Sequence, residues 1–122
     1  MSFLPPAGLL VVDEWAPERL VGRTARWYFG QRRALAHAGR TDSDVPDAFD
    51  AWERKTAADL ADLHTSSTIR SELEPRFAER VLEWRPFLYS RRLDDTLEPV
   101  ERALIDDGGI DATGFRYVGE RR

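Results

Sequence analysis

Apolar positions along this chain recur at two different periods, and the switch between them predicts its elements. Leu9–Val12 is a short apolar run rich in β-branched valine. It reads as a strand, after an extended lead-in over residues 1–8 that carries Pro5, Pro6 and Gly8. From Asp13–Pro17 to Ala38 the spacing becomes helical: Leu20, Val21, Thr24, Trp27, Tyr28, Gln31, Ala34, Leu35 and Ala38 share one broad face. Asp13 is the expected cap, Pro17 suits a first turn, and Gly39 follows as terminator. Gly22 and Gly30 fall inside this helix, each costing up to about 1 kcal/mol against alanine.

A second helix is expected from about Pro46 to His64, capped by Asp44 or Ser43, with Phe49, Trp52, Thr56, Leu60 and Leu63 as its buried stripe. The run Thr65-Ser66-Ser67-Thr68 breaks it, because short hydroxyl side chains compete for backbone groups. Phe77, Val81 and Trp84 recur at spacings of 4 and 3 and predict a third helix over Pro75–Trp84, stopped by Pro86. A fourth, about Leu97–Asp106, has Thr96 as cap, Leu97, Val100 and Leu104 as its core face, and Gly108-Gly109 as its end. Phe115–Val118 alternates and reads as a strand.

The expected fold class is therefore mostly α: a small bundle of about four helices in one domain over residues 1–122. Residues 1–14 and 110–122 would be extended terminal segments, able to pair as a two-stranded ribbon or to add to a neighbour's sheet edge.

Composition narrows the function classes. Cysteine is absent, which excludes disulfides and thiolate metal sites and favours a reducing compartment. The N-terminus lacks a basic region ahead of an apolar stretch, and no apolar run approaches a membrane span; the expectation is a cytoplasmic chain without membrane contact. The net charge of −4 argues against bulk attraction to nucleic acid or anionic lipid. Of the 18 basic residues Lys55 is the one lysine, a bias that a GC-rich genome explains without function.

Charge is nevertheless unevenly placed. Arg19, Arg23, Arg26, Arg33, His37 and Arg40 fall at spacings of 4, 3, 7, 4 and 3, which on one continuous helix gathers them on the side opposite the apolar face. Arginine's planar fork binds carboxylate or phosphate through two hydrogen bonds, so such a row is a candidate docking face; the plain alternative is a solvated helix face. The second helix is the opposite: Asp42, Asp44, Asp47, Asp50, Glu53, Asp59 and Asp62 stand against Arg54 and Lys55. One copy's basic helix meeting another's acidic helix is a heterologous contact, which builds rings or filaments. Trp15, beside the lead-in, is the candidate interface aromatic.

Chemistry of other kinds finds little support. His37 and His64 each stand alone, and Asp59 and Asp62 do not share a helical face with His64. Asp106–Asp111 lacks the spacing and closing Glu of a calcium loop. Glu79/Glu83 and Glu98/Glu101 read as surface acids without a matching pair, and Thr65–Thr68 as a cap. No cofactor is implied. The resulting expectation is a non-enzymatic structural or adaptor subunit that docks protein partners or further copies of itself, such as a component of a phage-type particle. A nucleic-acid-binding or regulatory module using the Arg row is the alternative.

Overall fold

The computed structural model describes residues 2–3, 8–40 and 45–122, and of residues 2–3 the backbone alone. Over the described residues the chain folds into four helices and an antiparallel sheet, not the helical bundle with a terminal ribbon that the periodicity predicts. In chain order the elements are β1 (Ser2–Phe3), β2 (Leu9–Trp15), α1 (Gly22–His37), α2 (Phe49–Leu60), α3 (Ser66–Leu73), β3 (Phe77–Arg85), α4 (Glu98–Asp106) and β4 (Gly114–Arg121). The strand order is β1-β2-β4-β3, so the two strands expected at the termini do pair, with Val11 opposite Val118, but they form the middle of a larger sheet.

The third long strand is where a helix was expected. β3 runs antiparallel to β4, and Arg80 is an extra residue between the Glu79/Gly119 and Val81/Val118 pairs. Such a bulge shifts the side-chain phase by one residue. Phe77, Glu79, Leu82 and Trp84 therefore share a face at spacings of 2, 3 and 2, a sequence pattern that resembles a helical stripe. Val81, counted on that stripe, sits instead on the opposite face and is 44% exposed. The helix that precedes β3 occupies the Ser/Thr run: Thr65 does not break a helix but caps α3, its side chain accepting from the Thr68 N–H at 3.2 Å.

One face of the sheet is covered. Val12, Ala16, Phe115 and Tyr117 are buried there, packed by Ile69 and Leu73 of α3 and by Leu82 and Trp84. The other face carries a row of alternating charge across three strands. Arg116 Nε and Nη2 donate to the two Asp13 oxygens at 2.7 and 2.8 Å, while Arg85 reaches Glu83 at 3.0 Å. Opposite charges placed cross-strand stabilise a solvated sheet face.

A second core lies between α1, α2 and the segment after β3. Trp15, Leu20, Ala25, Tyr28, Phe29, Trp52 and Leu88 form it, with Trp52 ringed by Tyr28, Phe29 and Phe49 at centroid distances of 5.9, 5.4 and 5.7 Å. Rings at these separations contribute about 0.5–1.5 kcal/mol per pair beyond their buried area.

The first helix starts later than its periodicity suggests. β2 pairs with β4 through Trp15, a 3-10 turn follows at Pro17–Arg19, and Gly22 opens α1 with φ of +56°. That left-handed angle is cheap only for glycine, so Gly22 is a hinge between strand and helix, not a helix-interior cost. The buried residues of α1 are Thr24, Ala25, Tyr28, Phe29 and Arg32, whereas Val21, expected inside, is 60% exposed. α1 passes through Gly30 without interruption.

α2 is shorter than the expected Pro46–His64, and Ala48, at the capping position before it, provides no side-chain cap; the proposed caps Asp44 and Ser43 lie outside the described residues. α4 follows a 3-10 turn at Asp95–Leu97 whose cap is Asp94, accepting from the Thr96 N–H at 2.9 Å. Val100, assigned to its core face, is 47% exposed, and Glu101, assigned to its surface, is fully buried.

Candidate functional site: the arginines of the first helix

α1 is fixed in place by contacts on its inner side. Thr24 Oγ1 accepts from the Asp111 N–H at 2.9 Å, and the Tyr28 hydroxyl donates to the Arg91 carbonyl at 2.6 Å. Phe29 packs edge-on against Phe49 of α2 at 5.6 Å. With that side held, the helix presents Arg23, Arg26 and His37 to solvent, and Arg33 half-buried beside them.

The six residues of the predicted row divide into engaged and open groups. Arg19 lies in the 3-10 turn before α1, not on the helix. Its Nε donates to the Ala112 carbonyl at 2.6 Å and its guanidinium sits 3.8 Å over the Trp84 ring. Arg40, beyond the helix end, donates to Asp94 at 2.6 Å. Arg33 comes 4.0 Å from Asp47 and its guanidinium lies 5.7 Å from the Phe29 ring. Arg26 rests over Phe49 at 4.3 Å while remaining exposed, which leaves its N–H edges open to a partner. Arg23 and His37 are exposed and form no hydrogen bond or ion pair among the described residues. The outer face of α1 is thus a shorter row, Arg23, Arg26 and His37, flanked by Arg33.

Exposed ion pairs of the Arg40–Asp94 kind are screened by water and hold little stability. The Asp94 carboxyl is nevertheless below its usual range, first through the Thr96 backbone N–H, then the Thr96 hydroxyl, with Arg40 adding to them against a small opposing effect of burial.

Trp15 is placed inside, not at a surface. Its ring stacks on Phe87 at 5.4 Å with the Arg91 guanidinium 4.2 Å away on it, and its indole Nε1 is buried without a hydrogen-bond partner among the described residues. It also lines a recess of about 580 Å³ between β2 and α3, whose other walls include Leu10, Val12, Ile69, Leu73 and Phe87.

Two acids organise the molecule: Glu101, expected at the surface, and Glu18. Glu101 accepts from the backbone N–H groups of Phe87, Leu88 and Tyr89 at 2.9, 3.0 and 2.7 Å, holding the 3-10 turn Leu88–Ser90 against α4. Glu18 accepts from the Ser66 N–H at 3.1 Å and from the Ser66 hydroxyl, latching the start of α3 to the turn that precedes α1. Their partners are mostly backbone groups distant in sequence, which leave no side-chain signature. On α2 and just beyond it, Asp50, Glu53, Asp59 and Asp62 are exposed and enter no ion pair among the described residues.

The chain matches no protein family, no curated protein and no solved structure. Among the described residues, no helix is long and apolar enough to cross a membrane.

Proposed function

We propose that the chain is a non-enzymatic docking subunit that assembles with further copies of itself, the basic outer face of α1 in one copy meeting the acidic outer face of α2 in the next. The observation that carries this reading is the pairing of two open, oppositely charged surfaces. Arg23, Arg26 and His37 face solvent on α1, and at α2 the exposed acids Asp50, Glu53 and Asp62 outnumber the exposed bases Arg54 and Lys55; Asp59 is turned toward α1, lining a recess with Tyr28 and Arg32. α1 and α2 share one core through Phe29, Phe49 and Trp52, so each turns its charged side outward. Among the described residues, Arg33 and Asp47 form an ion pair between the two surfaces at 4.0 Å. A contact of one face with a different face repeats without limit or closes into a ring, the geometry of a particle or filament component.

Sedimentation velocity in low and high salt tests this. Charge contacts at a protein surface act over about 30 Å at 0.01 M salt and about 3 Å at 1 M. The wild-type chain is expected to sediment as multimers in the first condition and as a monomer in the second. Arg23→Glu combined with Arg26→Glu is expected to be monomeric in both. A wild-type monomer at every salt concentration overturns the reading. Steep, salt-sensitive binding of duplex DNA by such a monomer would assign the same row to phosphates instead.

A further inference from the structure

Arg32 lies on the inner side of α1, and it is the one arginine among the described residues that the fold buries, with 8% of its surface exposed. Its Nε has no hydrogen-bond partner among the described residues. Guanidinium does not lose its proton in proteins, and a buried charge without a counter-charge is costly. Arg32 is not alone there. It lines a small recess of about 40 Å³ together with Tyr28, Thr56, Asp59, Arg91 and Arg92.

Three separate elements bring these groups together: α1 gives Tyr28 and Arg32, α2 gives Thr56 and Asp59, and the turn after Leu88–Ser90 gives Arg91 and Arg92. The turn is tied to the helix by the Tyr28 hydroxyl on the Arg91 carbonyl at 2.6 Å. Arg92 is the one described non-glycine residue with a left-handed backbone, at φ of +58°. That conformation is uncommon for a side chain of this kind and marks a backbone set by its surroundings. None of Arg32, Arg91 and Arg92 forms an ion pair among the described residues. Asp59 lines the recess without reaching ion-pair distance of them. The nearby Glu101 carboxylate is taken by three backbone N–H groups. The three cations act on the same spot: burial raises the Tyr28 phenol, and Arg32, Arg91 and Arg92 each pull it back.

We infer that this recess is an oxyanion site that takes the phosphoryl group of a small molecule. A planar guanidinium fork matches a phosphoryl group through paired N–H donors, and three arginines line this one recess, Arg91 with its guanidinium also over the Trp15 ring, against the single carboxylate of Asp59. The volume sets the size of the ligand's head. At about 10–15 Å³ per water, 40 Å³ holds a few waters or one compact oxyanion. A ring or chain carried by the phosphoryl group must lie outside.

Titration with inorganic phosphate against chloride at matched ionic strength, followed by thermal melting and by the amide resonances of α1, tests the site, with phenyl phosphate as a second probe. Phosphate is expected to raise the melting temperature of the wild-type chain above the chloride control and to shift the resonances near Arg32. Arg92→Gly removes one fork at a position whose backbone glycine prefers, so the fold is kept. Its affinity for phosphate is expected to fall about tenfold or more, the scale of one charged hydrogen bond. Asp59→Asn, on an exposed residue, is expected to tighten binding. Stronger binding of phenyl phosphate than of phosphate assigns the site to esters, and the reverse assigns it to the free ion. Equal melting in phosphate and chloride, or a wild-type response in Arg92→Gly, overturns the inference.

Discussion

Replacing Glu101 is expected to be the most damaging single change to a charged residue in this protein. Its carboxylate is fully buried, and its two oxygens take three backbone donors: Oε2 those of Phe87 and Leu88, Oε1 that of Tyr89. In Glu101→Ala all three N–H groups lose their acceptor. Leu88 is fully buried and Phe87 and Tyr89 are half-buried, so water recovers part of the loss at two of the three. At about 1–3 kcal/mol per abandoned buried donor, the sum is about 3–5 kcal/mol. Glu101→Gln keeps one oxygen but turns an NH2 group toward the remaining donor. That variant should cost about 2–4 kcal/mol although its shape is nearly unchanged. For a domain of this size, about 3–5 °C of melting temperature per kcal/mol puts Glu101→Gln roughly 6–20 °C below wild type. Circular-dichroism melts and urea titrations at neutral pH measure it. Glu98→Gln, on the same helix but paired only with Arg102 at 3.3 Å, is the control and should move stability by less than about 0.5 kcal/mol. A Glu101→Gln protein that melts as the control does would refute the claim that this carboxylate holds the Leu88–Ser90 turn.

Other perturbations probe separate joints. Glu18→Ala frees the Ser66 N–H and hydroxyl and should cost about 1–2 kcal/mol, read as faster hydrogen exchange at the start of α3; unchanged exchange there would remove the latch. Gly22→Ala meets no atom within 4 Å, so any loss comes from the +56° backbone angle alone, about 1–2 kcal/mol by urea titration; a neutral result would mean that the hinge is not strained for alanine. The Asp13 carboxyl is held below its ordinary 3.8, chiefly by hydrogen bonds from Arg116 and with help from the charges of Arg116 and Arg85, against an opposing push from burial. A depressed acid stabilises the fold fully above its unfolded pKa and loses that contribution as pH falls through the folded value. Asp13→Asn should therefore flatten part of the stability loss below about pH 4; identical acid limbs would contradict it.

How far the fold could be read from the residues depended on whether local pattern or distant pairing decided each segment. The apolar, valine-rich run Leu9–Val12 and the alternating Phe115–Val118 became the two strands that pair in the middle of the sheet. The bodies of α1 and α2 followed their apolar spacing because both contribute aromatic rings to one core, whereas α4 formed with Val100 exposed and Glu101 as its buried residue. β3 did not follow its spacing, because the extra residue Arg80 disguises a strand period as a helical one, and its identity rests on β4, many residues away. The rotation of α1 was equally hidden: Val21 is exposed where its spacing put it inside, and Ala25, Phe29 and Arg32 are buried. The same rotation explains the site. Arg23, Arg26 and His37 stayed outward as their spacing suggested, while Arg19 was drawn onto Trp84 by the turn that replaces the first helical residues. Arg32, which no apolar or charge spacing singled out, lies on the buried side, where Arg91 and Arg92 arrive from the far half of the chain.

The central claim, that α1 of one copy docks on α2 of another, is tested most directly by a charge exchange between two separately purified chains. One carries Arg23→Glu and Arg26→Glu, the other Asp50→Arg and Glu53→Arg. Each alone presents like charges to itself and is predicted to sediment as a monomer at low salt, while the equimolar mixture is predicted to form alternating multimers. A mixture that stays monomeric, under conditions where the wild-type chain assembles, would contradict the account.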